Sequence, residues 1–200
     1  MTKENIYKVK NEVADPTTLG LFGLALVTMV AASSKLGLSS DVAGIIPWAI
    51  FLGGIAQVIA SIFDFKHNNL FGATAFAGYG LFWIAVSFTW MTKFGYFGEA
   101  MQSSLDMSQF GFALLGYVLF SIILTVSTLR MNPTMFILLI FIDILLFALM
   151  INVFTGSSTW GIIAGVAEAC TSLLAFYVLA AKYLNTFFGK TVLPLGKPMI

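Results

Sequence analysis

Residues 53–83 read GGIAQVIASIFDFKHNNLFGATAFAGYGLFW. Two apolar runs meet here across a short break that carries Asp64, Lys66, His67, Asn68 and Asn69. Both runs extend outward, and each then reaches the length of about 20 residues that a helix needs to cross a bilayer. In hydrocarbon every backbone N–H and C=O must find a partner within the protein, which selects helices for such runs. The same reading along the chain predicts six spans, at roughly Thr17–Ser34, Val42–Phe63, Phe71–Met91, Phe110–Leu129, Thr134–Phe154 and Trp160–Tyr183. The expected fold class is therefore an all-α integral membrane protein, a six-helix transmembrane bundle.

Composition supports this from the other direction. Of 200 residues, 59% are hydrophobic and only 10% charged, against about 25% charged in soluble domains. The mean hydropathy is +0.95. A soluble fold of this size could not hide so much apolar surface, whereas lipid can solvate it. The net charge of +1 and the lack of a basic block give no sign of a nucleic-acid partner. Cys170 is the one cysteine, so there is no intramolecular disulfide framework. His67 is the one histidine, and no cluster has metal-ligand spacing, so neither metal nor cofactor is expected. The first 15 residues, MTKENIYKVKNEVAD, lack the apolar core of a signal peptide, so the first apolar run is read as a permanent span.

Local signals mark the span ends. Asp15-Pro16 and Asn132-Pro133 each place a capping residue before a proline at the first helical position, where no N–H is needed. Residues 155–159, TGSST, form a turn between the fifth and sixth spans, and Thr92–Gln109 is the longest internal connection. Trp48, Trp90 and Trp160 fall near span ends, where interfacial tryptophans collect, while Trp83 is expected inside. The chain thus divides into a tail over 1–16, a membrane domain over 17–183 and a second tail over 184–200.

Six spans return both termini to one side. That side holds Lys3, Lys8, Lys10, Lys66, Arg130, Lys182, Lys190 and Lys197; the other holds Lys35 and Lys93. The positive-inside rule places both termini in the cytoplasm and the protein in a cytoplasmic (inner or plasma) membrane, multi-pass in lipid. Small residues, among them Ala56/Ala60, Ala73/Ala77 and Gly161/Gly165, are spaced to let helices approach closely.

Polar groups inside spans are costly, so they carry the functional information. Gln57, Ser61 and Asp64 share one face of the second span. Asp64 is placed to reach the interface or meet Lys66. Phe76, Tyr79 and Trp83 make an aromatic stripe on the third span, continued by Ser87. Asp143 and Glu168 lie deep in the fifth and sixth spans, and no lysine or arginine is expected at matching depth to neutralise them. They are the candidate proton-coupling groups. No nucleophile elbow, phosphate loop or zinc-protease motif is present, so the chain is not read as an enzyme.

Three stretches carry a resemblance to a known family. They are DPTTLGL at 15–21, the opening stretch at 53–83 and FGKTVLPLG at 188–196. Together they resemble the YaaH/SatP acetate transporter family, which moves acetate and related monocarboxylates, in some members succinate. The family's entry motif is Asn-Pro-Ala-Pro-Leu-Gly-Leu; here Asp15 replaces the asparagine and Thr18 the second proline. The resemblance implies a UreI-like channel protomer, a homo-hexamer with one pore per protomer, and a hydrophobic constriction built from three helices. The family's tyrosine falls on Tyr79 and its phenylalanine on Leu24. Its leucine falls on Ile142 or Asp143.

The expected function is a channel for acetate and similar small monocarboxylates, an anion channel with Leu24, Tyr79 and Ile142 at its constriction. Gln57, Asn69, Thr28 and Ser61 are the candidate substrate contacts, because they offer donors without a deep lysine to trap the anion. The helix start at 69–72 offers free N–H groups to a carboxylate. One alternative is a proton-coupled acetate symporter using Asp143 or Glu168. Another is a tetraspan-like structural membrane protein without a substrate.

Overall fold

The computed structural model describes residues 13–200, so Lys3, Lys8 and Lys10 of the charge count lie outside the described residues. Among the described residues, six helices are long and apolar enough to cross a membrane: α1 Thr17–Lys35, α2 Ala43–Lys66, α3 Leu70–Lys93, α4 Met107–Thr128, α5 Pro133–Thr155 and α6 Ser158–Phe188. All six coincide with the expected spans. A short helix at Glu99–Ser103 interrupts the α3–α4 connection.

The helix ends follow from their sequences. The Asp15 carboxylate accepts from the Thr17 N–H at 2.9 Å, and the Asn132 side chain accepts from the Met135 N–H at 2.9 Å with Pro133 opening α5. These bonds satisfy N–H groups that no helical carbonyl can reach. Only Gly156 and Ser157 separate α5 from α6, because Gly156 takes φ 67° and reverses the chain at once. The last helix runs to Phe188, five residues past the expected Tyr183, and stops where Gly189 adopts φ 64°.

The second helix is not uniform. It begins as a 3₁₀ turn at Ala43–Ile45 and widens to a π-helix over Ala49–Ala56 before Gln57 resumes α geometry. This stretch lies at the tightest crossings in the bundle. A side chain on Gly23 of α1 would strike the Leu52 carbonyl oxygen, and one on Gly80 of α3 would come within 3.0 Å of the Gly54 carbonyl oxygen. Glycines at 23 and 80 therefore let both neighbours rest on the α2 backbone itself.

The helices form a ring in chain order, with extensive packing of α1 on α6, α6 on α5, α5 on α4, and α2 on both α1 and α3. Between α3 and α4 the backbones stand further apart, and aromatic rings fill the gap. Tyr79 meets Phe120 edge-on at 5.6 Å, Phe82 meets Tyr117 at 4.8 Å, and the Tyr117 hydroxyl donates to the Gly78 carbonyl at 2.9 Å. Trp83 is buried, as its position predicts. Outward positions such as Phe112, Leu119, Ile123 and Leu173 are apolar and exposed, as lipid-facing groups are.

The C-terminal segment is docked rather than trailing. The Asn185 side chain donates to the Leu193 carbonyl and accepts from the Val192 and Leu193 N–H groups. Tyr177 Oη donates to the Pro194 carbonyl at 2.7 Å, and Thr134 Oγ1 to the Leu195 carbonyl at 2.9 Å. The TVLP stretch is thereby fixed to the ends of α5 and α6.

Candidate functional site

Helix periodicity places one face of α1 along the interior from end to end: Thr17, Leu21, Leu24, Thr28, Ala31 and Lys35. Two cavities open along this face. The first, about 60 Å³, lies toward the termini and is lined by Thr17, Leu21 and Leu24 of α1, Gln57 of α2, Phe76 and Tyr79 of α3, Leu138 and Ile142 of α5, and Lys182 of α6. The second, about 210 Å³, lies toward the opposite side and is lined by Ala31 and Lys35, Phe82 and Trp83, Leu145 and Leu146, Asn152 and Glu168.

Each of α1, α3 and α5 therefore contributes to both cavities, and the change falls within a turn or two on every one. Leu24 gives way to Ala31, Tyr79 to Phe82 and Ile142 to Leu145. Leu24, Tyr79 and Ile142 stand at the inner end of the first cavity, all three buried. Of the two readings for the α5 position, Ile142 faces the cavity. Asp143 turns to α4, where Ser121 Oγ and Thr125 Oγ1 donate to its two carboxylate oxygens, the second at 2.7 Å. The Tyr79 hydroxyl donates to Ser121 Oγ at 2.9 Å. The tyrosine proton is thus engaged with α4, and the face that Tyr79 turns to the cavity is mainly ring.

The other expected polar contacts divide. Gln57 is fully buried and lines the first cavity; its Nε2 donates to the Gly53 carbonyl at 2.8 Å, while its Oε1 has no partner among the described residues. Because a carbonyl must face the amide nitrogen, this contact also fixes which end of the amide is which. Asn69 lines the same cavity, and both ends of its side chain are already engaged, with one Nδ2 hydrogen left over. It accepts from the Gly72 N–H at 3.2 Å and donates to Asp64 Oδ1 at 2.8 Å. The helix start at 69–72 is therefore partly closed by its own cap. Ser61 donates to the Ala73 carbonyl at 2.8 Å and holds α2 to α3, and Thr28 donates to its own helix at Leu24. Neither lines a cavity wall, although Thr28 sits in the turn between the two.

Two expectations about charge need correction. Asp64 does not meet Lys66: it is buried against Asn69, whereas the Lys66 ammonium lies 5.0 Å from the centre of the Phe63 ring. Residues two apart on a helix point to different faces, which explains the miss. Glu168 does have a cation at its depth. Lys35 Nζ lies 2.7 Å from Glu168 Oε2, and Glu168 is 1% exposed. A lysine at a helix end can reach back along its four-carbon stem, so its backbone position misstates the depth of its charge.

Thr17 and Lys182 are wall residues that sequence reasoning missed. Thr17 Oγ1 is buried without a partner among the described residues. Lys182 donates to Asp15 Oδ2 at 3.1 Å. Burial pushes the Asp15 carboxyl up, but the Thr17 hydrogen bonds and the Lys182 charge outweigh it and hold the group below its ordinary value. The i, i+4, i+7 spacing of Thr17 with Leu21 and Leu24 was the available signal. Among the described residues no group of His, Cys, Asp and Glu is placed to hold a metal ion.

Comparison with known proteins bears on the family and the fold. The model of a family described as the GPR1/FUN34/yaaH family matches residues 2–197. The chain is 30% identical over 188 residues to the succinate-acetate/proton symporter SatP of Escherichia coli, covering 93% of this chain and 97% of that one. It is 31% identical to ammonia transport outward protein 2 of Saccharomyces cerevisiae, over 84% of this chain and 60% of that one. A solved structure of the bacterial acetate channel SatP superposes with a TM-score of 0.86 at 28% identity, over 92% of this chain and all of that one.

Proposed function

We propose, because the chain belongs to the GPR1/FUN34/yaaH family, that it carries acetate and related small monocarboxylates across a membrane through a passage within each protomer. The observation that supports this reading is the pair of cavities set one or two turns apart along α1, α3 and α5, with Leu24, Tyr79 and Ile142 lining the first on the side nearer the second. A neck between the two suits acetate. Its methyl end passes apolar walls, and its carboxylate meets scattered neutral groups and paired charges that bind weakly enough to release it. Gln57 and Asn69 are the polar contacts on the terminus side, and Thr28 lies within the closed turn. Succinate, whose second carboxylate must also be desolvated in the neck, is the poorer cargo.

The charge count supports cytoplasmic termini and a cytoplasmic or plasma membrane. The homo-hexamer implied by the family is our assignment for the assembly, its contacts drawn from the apolar exterior of the bundle.

A second reading is proton-coupled symport, and one observation favours it: Asp143 is joined to the neck through Ser121 and Tyr79. The relatives' names divide in the same way, one a symporter and one a channel.

The test uses purified protein in liposomes. Radiolabelled acetate should enter faster than into empty liposomes; equal rates would support a structural membrane protein instead. With a pH gradient imposed, acetate-dependent proton movement that disappears in Asp143→Asn would favour symport. Downhill flux indifferent to that substitution would favour the channel.

A further inference from the structure

Both cavities carry a lysine, and in both the lysine is held by a carboxylate: Lys182 by Asp15 at 3.1 Å and Lys35 by Glu168 at 2.7 Å. The two pairs differ in burial. The Asp15 side chain is 45% exposed, whereas Glu168 is sealed and the Lys35 side chain, 21% exposed, lines the second cavity. The bundle also makes specific room for this lysine. Gly165 lies one turn before Glu168 on the same face of α6, and a side chain there would come within 2.9 Å of Lys35 Cβ. Gly165 thus belongs to the seat of the lysine stem.

We propose that Glu168 is a specificity-determining residue that masks the charge of Lys35, so that the second cavity admits a carboxylate without retaining it. This inference rests on the carboxylate-transport reading above. A free ammonium in a half-dry cavity would draw an anion in and hold it there, slowing release. An unpaired Glu168 would repel the anion. The pair leaves a dipole, whose field falls off more steeply than that of a single charge. The ammonium edge stays close enough to the cavity to greet a carboxylate and too well neutralised to trap it.

The experiment compares acetate with acetamide, a neutral solute of the same size, in liposomes holding the full-length protein. Glu168→Gln exposes the Lys35 charge, so the half-saturating acetate concentration should fall about tenfold, the change expected when one cation a few ångströms from an anion loses its partner. The maximal acetate rate should fall with it, and acetamide flux should not change. Adding Lys35→Met to Glu168→Gln should return the acetate half-saturation toward the parent value. Glu168→Asp keeps the charge but draws it back by one methylene, and should shift acetate in the same direction by a smaller factor. It keeps the proposal testable if the glutamine variant does not fold.

A purely structural pin between α1 and α6 would change acetate and acetamide alike, and that result would overturn the proposal. A conducting parent whose Glu168→Gln and Glu168→Asp variants keep the parent half-saturation would overturn this inference alone. A parent that passes no acetate would overturn the transport reading and this inference with it.

Discussion

The Tyr79 hydroxyl lies 2.9 Å from Ser121 Oγ, and this bond ties the ring beside the first cavity to the neighbouring helix α4. Ser121 passes the contact on to Asp143, so three helices fix one aromatic rotamer. The ring, and not the hydroxyl, then faces the first cavity.

Tyr79→Ala should therefore raise acetate flux and relax size selection, with propionate and butyrate gaining more than acetate. Tyr79→Phe should keep the parent selectivity, because the ring remains. It should cost about 1 kcal/mol of stability for the lost hydrogen bond. Uptake of the three acids and thermal unfolding in detergent check both. Unchanged uptake of all three acids in Tyr79→Ala would remove Tyr79 from the neck.

Ser121→Ala should be more damaging than Tyr79→Phe, because it removes one partner from the buried Tyr79 hydroxyl and another from the half-buried Asp143 carboxylate at once. The cost should be about 1–3 kcal/mol, read as a fall in unfolding temperature. A Ser121→Ala variant as stable as the parent would show that the relay holds nothing in place.

Gly23→Ala and Gly80→Ala should both destabilise the bundle, by about 1–3 kcal/mol each, because the added methyl presses on α2 backbone that cannot rotate away. Gly44→Ala is the control, since nothing lies within 4 Å of a methyl there. Thermal unfolding of the three variants should separate the first two from the third.

Asn185→Ala should release the C-terminal segment, since this one side chain makes three hydrogen bonds to it. Protease cleavage within 190–200 should accelerate while cleavage elsewhere does not. Equal cleavage rates in parent and variant would mean that Tyr177 and Thr134 hold the segment without it.

The Asp15–Lys182 link should respond to acid. The folded state holds Asp15 below its ordinary value, so its contribution is fully present above about pH 4 and is lost as pH falls through the lower folded value. Asp15→Asn should be less stable than the parent near neutral pH, and the difference should vanish in strong acid. A difference that persists below pH ~2 would assign it to the helix cap at Thr17 instead.

The six spans were legible in the sequence because each requirement is local. A run of apolar residues, a capping Asn or Asp and a following proline decide a membrane helix without reference to its neighbours. Gln57 and Tyr79 could be singled out for a related reason, since a polar atom in an apolar run is conspicuous wherever it points. Ring order, the two cavities and the pairing of Lys35 with Glu168 were not legible, because residues 133 positions apart meet only through packing. The same holds for Ile142 and Asp143: adjacent in sequence, they point about 100° apart on a helix, and the placement of α5 against α4 decides which one lines the first cavity. The π-helical stretch of α2 is where α1 and α3 approach its backbone from two sides at Gly23 and Gly80, an approach that no pattern within residues 49–56 announces. By itself the sequence determined that this protein lives in a membrane as six helices, since solvation and capping act residue by residue. Only the tertiary structure decided which polar groups face a cavity and which spend their hydrogen bonds on each other, because that choice belongs to pairs of helices and to no single one.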